Sequence, residues 1–154
     1  MGKKNILMIG PLGVQGGMSI VMKNYIKSKK LIDLVELKYI STAVDGNKVK
    51  KLVIMISSLV KLVYMLLFNK IDIVHIHAAL DASIYRKGLF VKICKLFDKK
   101  VILHFHASDL EAFYFDRCDD KKRKIVKEIF KSADKIICLN NLMKKLLKEI
   151  LDVE

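Results

Sequence analysis

The chain has 154 residues, of which 53% are hydrophobic, with a single Pro and no Trp. That length suits one domain rather than two, and that apolar fraction excludes a disordered chain. Lys and Arg number 29 against 16 Asp and Glu, a formal charge of +13. Cys94, Cys118 and Cys138 form no C-x-x-C pair and leave an odd count, which argues against a disulfide scaffold or zinc finger and for a reducing cytosol.

The charge is unevenly spread: a net +9 falls before residue 71. Only Arg86, Arg117 and Arg123 are arginines, so 26 of the basic residues are Lys. Base readout favours Arg forks and single-strand binding favours basic residues interleaved with aromatics. Here the lysines stand beside Leu, Ile and Val, so nucleic acid is not the expected partner. A diffuse Lys surface suits an anionic membrane or an anionic ligand; a solvated surface with no partner fits it equally. No targeting segment is expected, because Gly10-Pro11 and Gly13 interrupt the apolar run at 5–14 and no Ser or Thr completes a myristoylation signal after Gly2.

Two periodicities alternate along the chain. Asn5–Gly10 is a short apolar run read as a buried strand, followed by a helix over 17–30. Val35–Ser41 reads as a second strand and 47–69 as a long helix. Asp72–His77 is a third strand, 82–97 a helix, Val101–His106 a fourth strand and 108–132 mostly helix. Lys135–Leu139 is a fifth strand and 141–151 a last helix. Five β-then-α units predict an α/β fold, a Rossmann-like, doubly wound parallel sheet in the order 2-1-3-4-5 with helices on both faces. Ligands of such sheets bind beyond the carboxyl ends of the strands, where the strand order reverses.

The helix at 47–69 is over-apolar for one that covers a sheet on one side only. Its polar stripe is narrow: Lys50, Lys51, Ser57, Ser58 and Lys61, with Tyr64 at its margin. Leu52–Phe68 is 17 residues with Lys61 and two serines inside, at the short limit for spanning a bilayer. A buried or interfacial amphipathic helix is the expected reading.

Three groups of residues suggest chemistry. Gly10-Pro-Leu-Gly13-Val-Gln-Gly16-Gly17 follows the first strand and precedes a helix, a place where backbone N–H groups and a helix N-terminus can meet a phosphate or diphosphate. The spacing is neither G-x-G-x-x-G nor a Walker loop, and Ile40-Ser41-Thr42 lacks the acidic residue that holds a ribose, so NAD is disfavoured; the loop also suits a plain tight turn. His75-x-His77 and His104-x-His106 place each pair on one face of its strand. Four histidines there could bind zinc, but strand histidines are more often hydrogen-bonded core or cleft-wall residues, and no metal is expected. His77 and His106, nearest the strand ends, are the ones placed to reach a ligand. Residues 116–131 are a mixed-charge run read as a solvated helix face, with Asp116, Asp119 and Asp120 suited to a helix N-terminus.

The opening NILMIGPLGVQGG, then DIVHIHAA after the long apolar helix, KKVILHFHASDL and ADKIICLN occur in the order found in family 4 glycosyltransferases. The chain resembles the N-terminal half of these GT-B-fold enzymes, especially those that build capsular or exopolysaccharides and lipopolysaccharide, over almost all of its length. The resemblance implies retaining transfer of a sugar from a nucleotide diphosphate-sugar, with no metal or other cofactor, to a saccharide or lipid-linked acceptor. It implies that Gly16 and Gly17 approach the donor diphosphate, that the catalytic-site histidine beside the donor sugar is His106, and that His77 and Asp109 line the cleft. The family's C-terminal domain, with its Glu-x7-Glu motif, has no counterpart among Glu36, Glu111, Glu128, Glu149 and Glu154. The chain is therefore expected to be a single Rossmann-like, acceptor-side domain with little or no turnover by itself, needing a C-terminal donor domain or a partner subunit. Lys48, Lys50 and Lys51 are expected to hold it peripherally on anionic lipid at the cytoplasmic face of the cell membrane. Two alternatives stand beside this: a non-catalytic acceptor- or membrane-binding subunit of a split transferase, and a stand-alone nucleotide-binding or metal-dependent hydrolase domain using the His pairs.

Overall fold

The computed structural model describes residues 2–107 and 109–152. In chain order the elements are β1 (Lys4–Gly10), α1 (Gly17–Lys27), α2 (Lys29–Leu34), β2 (Val35–Ser41), α3 (Lys48–Phe68), β3 (Ile73–Ala78), α4 (Ala82–Leu96), β4 (Lys100–Phe105), α5 (Leu110–Ala112), a π-helical turn (Phe113–Arg117), α6 (Asp120–Ser132), β5 (Lys135–Ile137) and α7 (Asn141–Leu151). The five strands form one parallel sheet in the order β2-β1-β3-β4-β5, as the alternation of periods predicts.

Two aspartates fix the register at the amino ends of the strands. Asp72, just before β3, accepts from Asn5 N at 2.8 Å, while its own N–H donates to Asn5 O. Asp134, just before β5, accepts from Val101 N at 2.8 Å, and its own N–H donates to Val101 O. Lys95 and Lys100 also bond the Asp134 carboxylate. The Lys95 ammonium and the Val101 N–H hold that carboxyl well below the usual range.

The two faces of the sheet differ in chemistry. Val74, Ile76 and Ala78 of β3 and Val101, Leu103 and Phe105 of β4 point one way and are almost fully buried. They pack with Ile84, Phe90 and Val91 of α4 and Val126, Ile129 and Phe130 of α6; the rings of Phe105 and Phe130 meet edge to face at 5.1 Å. By the period of two, His75, His77, His104 and His106 share the opposite face, which α1 covers with Tyr25.

Three predicted elements differ in detail. The helix expected over 17–30 breaks at Ser28, whose extended backbone and hydroxyl, accepting from Leu31 N, start α2. The helix expected over 108–132 is split by the π-helical turn and by Cys118, which is extended; Asp119 then caps α6 by accepting from Lys122 N at 2.8 Å. Asp119 and Asp120 thus do start a helix, whereas Asp116 lies within the π-helical turn. β5 ends at Ile137, because its pairing with β4 stops at His104↔Ile137 and leaves Cys138 and Leu139 outside the ladder.

Gly88 sets the approach of α4 to α6: a Cβ there would lie 2.5 Å from Ile129 Cδ1 and 2.8 Å from Cγ1. Gly88→Val is expected to destabilise the protein by about 1–3 kcal/mol through overpacking, read as a fall in the urea midpoint with an unchanged slope.

Candidate functional site

A cleft of about 650 Å³ opens at the carboxyl ends of β1, β3 and β4. Gly17, His106 and Asp109 line it, together with Met18, Val21, Ala79, Leu80, Asp81, Ala107 and Leu139. It lies where strand order reverses, between β1 and β3, the position favoured for ligands in sheets of this kind.

The Gly loop forms one wall. Gly13 and Gly16 have φ of 94° and 137°, conformations that L side chains rarely adopt, so glycine is required at both. Gly16 begins α1: its carbonyl accepts from Ile20 N, and the first-turn N–H groups are left without helical partners. A Cβ at Gly16 or Gly17 would meet nothing within 4 Å, so the wall is open to a ligand. The loop is tied to β2 by Ser41 Oγ, which donates to Leu12 O at 2.5 Å, and by Thr42 N, which donates to Gly10 O at 2.9 Å.

His106 stands one residue beyond β4, where its N–H continues the ladder by donating to Ala78 O at 2.7 Å. Its Nε2 is 2.9 Å from Nδ1 of His77, a distance at which one ring donates to the other. His77 itself is fully buried. It lies behind His106, reaching the cleft through that ring rather than by lining the wall. The rings of His75, His77, His104 and His106 stack with centroids 4.1 to 5.5 Å apart. Burial, then the neighbouring imidazoles, push the pKa of His75 to about 4 and that of His77 to about 2; burial, then His104, takes His106 to about 4. All three are therefore neutral near pH 7, and His106 offers the cleft a hydrogen-bonding imidazole rather than a cation.

Nitrogens of His75, His77 and His104 lie within 4.8 Å of one another. His75 Nε2, His77 Nε2 and His104 Nδ1 are buried without a partner among the described residues. Tetrahedral zinc draws its nitrogen ligands to about 3.3 Å apart, so this set would have to close inward beneath Tyr25 to hold one.

Asp109 reaches the cleft from the turn after β4 and pairs with Arg117 at 3.3 Å. Asp81 also lines it, and the sequence reading did not single it out. Its φ of 55° and ψ of −134° are unusual for a side-chain-bearing residue, a strain of about 1–3 kcal/mol of the kind that collects at functional sites. Lys48, Lys50 and Lys51 are exposed near the start of α3, away from this cleft.

A parallel 2-1-3-4-5 sheet with a Gly-rich first loop and its cleft at the switch point defines a Rossmann-like α/β protein. The family model for Glycosyltransferase Family 4 matches residues 33–154. The chain belongs to that family. β1, the Gly loop, all of α1 and most of α2 precede the matched region. No curated protein sequence matches the chain significantly.

Proposed function

We propose that this chain is the acceptor-side domain of a retaining glycosyltransferase, which moves a sugar from a nucleotide diphosphate-sugar to a saccharide or lipid-linked acceptor of a cell-surface polysaccharide. Its membership of Glycosyltransferase Family 4 supports the reaction class. The observation that carries the site is that Gly17, His106 and Asp109 line one cleft at the sheet's switch point.

In this reading the N–H groups at Gly16, Gly17 and the first turn of α1 stabilise charge on the leaving diphosphate, a preorganised electrostatic role. Neutral His106 bonds a donor-sugar hydroxyl, and buried His77 holds the ring in place as a positioning residue. Asp109 binds a hydroxyl at the rim. No resident metal takes part, since backbone dipoles do the work an ion would do. A second, donor-binding domain, in the same chain or in a partner, closes the other side of the cleft.

The test is transfer from a panel of labelled nucleotide diphosphate-sugars to polyprenyl-linked saccharide acceptors, with a family 4 donor domain added in trans. Product with the donor's anomeric configuration kept is expected, and His106→Ala should lower turnover by about 10²–10³-fold. Inverted product, or turnover untouched by His106→Ala, would overturn this assignment.

The exposed apolar side of α3 favours a further element of the reading: peripheral attachment to anionic lipid at the cytoplasmic membrane face, with Lys48, Lys50 and Lys51 at its edge. A subunit that only binds acceptor and membrane would keep that attachment and show no transfer with any donor domain. The hydrolase alternative needs a metal set open to substrate, whereas His75, His77 and His104 are buried.

A further inference from the structure

A second cavity, of about 150 Å³, lies between the end of β2, α3 and α4, with room for roughly five waters. It shares only Met18 with the cleft at His106. Lys87 lines it and is 5% exposed. The Lys87 ammonium donates to Thr42 Oγ1 and sits 5.2 Å from the centroid of the Phe90 ring. No carboxylate pairs with it among the described residues. Burial and the adjacent Arg86 pull its pKa down to about 7.

A buried cation with no counter-charge is a costly thing for a fold to keep. The rest of the cavity shows what would offset it. Thr42 Oγ1 accepts from Lys87, so its own O–H remains free to donate. Ser83 Oγ accepts from Ala79 N at 3.2 Å and likewise keeps its O–H. Arg86 Nε is occupied by Ala82 O at 3.1 Å, which leaves the outer guanidinium nitrogens for a ligand. The polar side chains lining the cavity thus all have donors to offer: an ammonium, two hydroxyls and a guanidinium fork. Pro11, Met55 and Phe90 supply apolar walls. An outer chamber of about 260 Å³ shares Thr42, Ala43 and Arg86 and adds Lys51 together with Val14 and Gln15 of the Gly loop, with Asp45 as its one carboxylate.

We propose that Lys87, Arg86, Thr42 and Ser83 form a binding site for a phosphate group on the β2 and α4 side of the Gly loop, separate from the cleft at His106. A phosphate carries several acceptor oxygens and no obligatory donor, the complement of this donor set, and Arg and Lys are the side chains that suit it. The same chemistry is offered by free phosphate or diphosphate and by a lipid-borne phosphate.

Calorimetric titration with inorganic phosphate, pyrophosphate and water-soluble dihexanoyl phosphatidate tests the site. At least one is expected to bind, and Lys87→Met to weaken it at least tenfold. Counting only the binding that Lys87→Met weakens, since the Gly loop is itself a diphosphate site in the proposed reaction, pyrophosphate or phosphate binding as tightly as the phosphatidate identifies a free anion as the ligand; markedly tighter phosphatidate binding identifies a lipid source. Lys87→Met places an apolar chain of similar length among Met18, Met55 and Phe90, so without phosphate it should melt at or above the wild-type temperature. Should that variant fail to fold, wild-type NMR decides the matter: the Lys87 pKa should rise by at least one unit in saturating ligand. No binding by any of the three, binding unchanged in Lys87→Met, or a Lys87 titration blind to the ligand would overturn the site. His106→Ala should leave this binding intact, so its failure and the failure of the transferase reading are separate results.

Discussion

Acidification from about pH 7.5 to about pH 4.5 is expected to cost the fold on the order of 5 kcal/mol through His75 and His77 alone. Burial lowers both pKa values in the folded protein, to about 4 and about 2, from the ordinary imidazole value of 6.5. The unfolded chain therefore binds more protons at any pH below about 6.5, and stability falls as pH falls through that value. For His75 the loss levels off near pH 4; for His77 it continues below. The carboxylates act in a different window: the pKa values of Asp72, Asp119 and Asp134 are held down by their hydrogen bonds, so the stability they add is lost only as pH drops below about 4. The range from 6.5 to 4.5 therefore isolates the imidazole stack. Melting temperatures measured across it should fall by about 10–20 °C for a chain of this size. His75→Leu should remove about a third of that slope, His77 and His106 supplying most of the rest, while leaving the neutral-pH fold intact, because the side chain is buried under Tyr25. A level melting temperature across the range would mean that the imidazoles reach water or a partner in solution.

The sheet was legible because its strands are short apolar runs whose ends are marked by Gly10, the His pairs and the aspartates that precede β3 and β5. Period two put each His pair on one face of its strand, and the β3–β4 register, pairing His77 with His104, brings both pairs to the same face of the sheet. Their near-parallel stack, and the burial of His77 behind His106, depend on how α1 lies over β3 and β4, which no local pattern records. The breaks at Ser28 and Cys118 were missed because the flanking residues keep helical composition, and a single capping hydroxyl or carboxylate decides the boundary. Of the site, Gly17, His106 and Asp109 were reachable from the resemblance. Asp81 was marked only by an acidic residue directly before a helix. Lys87 had no mark at all: among 26 lysines, burial is what distinguishes it, and burial is a property of the packed helix.

Val60→Asp with Leu67→Asp is expected to weaken binding to phosphatidylglycerol vesicles at least about 100-fold, since each buried apolar side chain of this size contributes about 1.5–3 kcal/mol. α3 carries two apolar sides. Leu62, Met65 and Leu66, with Ser58, face the core. Val49, Leu52, Val53, Ile56, Val60, Tyr64 and Leu67 recur at helical spacing on the opposite side and are all exposed, Val60 at 65% and Leu67 at 59%. Tyr64 and Phe68 pack at 5.0 Å beside a groove of about 440 Å³ lined by Leu59, Val60, Val63 and Leu67. Eighteen residues of α3 reach a mean hydropathy of 2.0, enough by length and composition to cross a membrane, and only 22% of that window is buried. The inward side nevertheless holds α3 to β2 and α4 through fully buried Leu62, and crossing a bilayer would strip that side from the core. Insertion to side-chain depth satisfies both faces at once. Lys48, Lys50 and Lys51 at the amino end would then contribute about 1 kcal/mol each against anionic headgroups. Reversing all three to Glu should weaken vesicle binding by about 100-fold at low salt and progressively less as salt screens the surface, whereas the Asp pair should act at every salt concentration. Both variants change exposed side chains, so far-UV circular dichroism and melting should match the wild type. Release of bound protein by a high-pH wash is the expected behaviour of an interfacial helix, and retention after that wash would instead require α3 to leave the core and span.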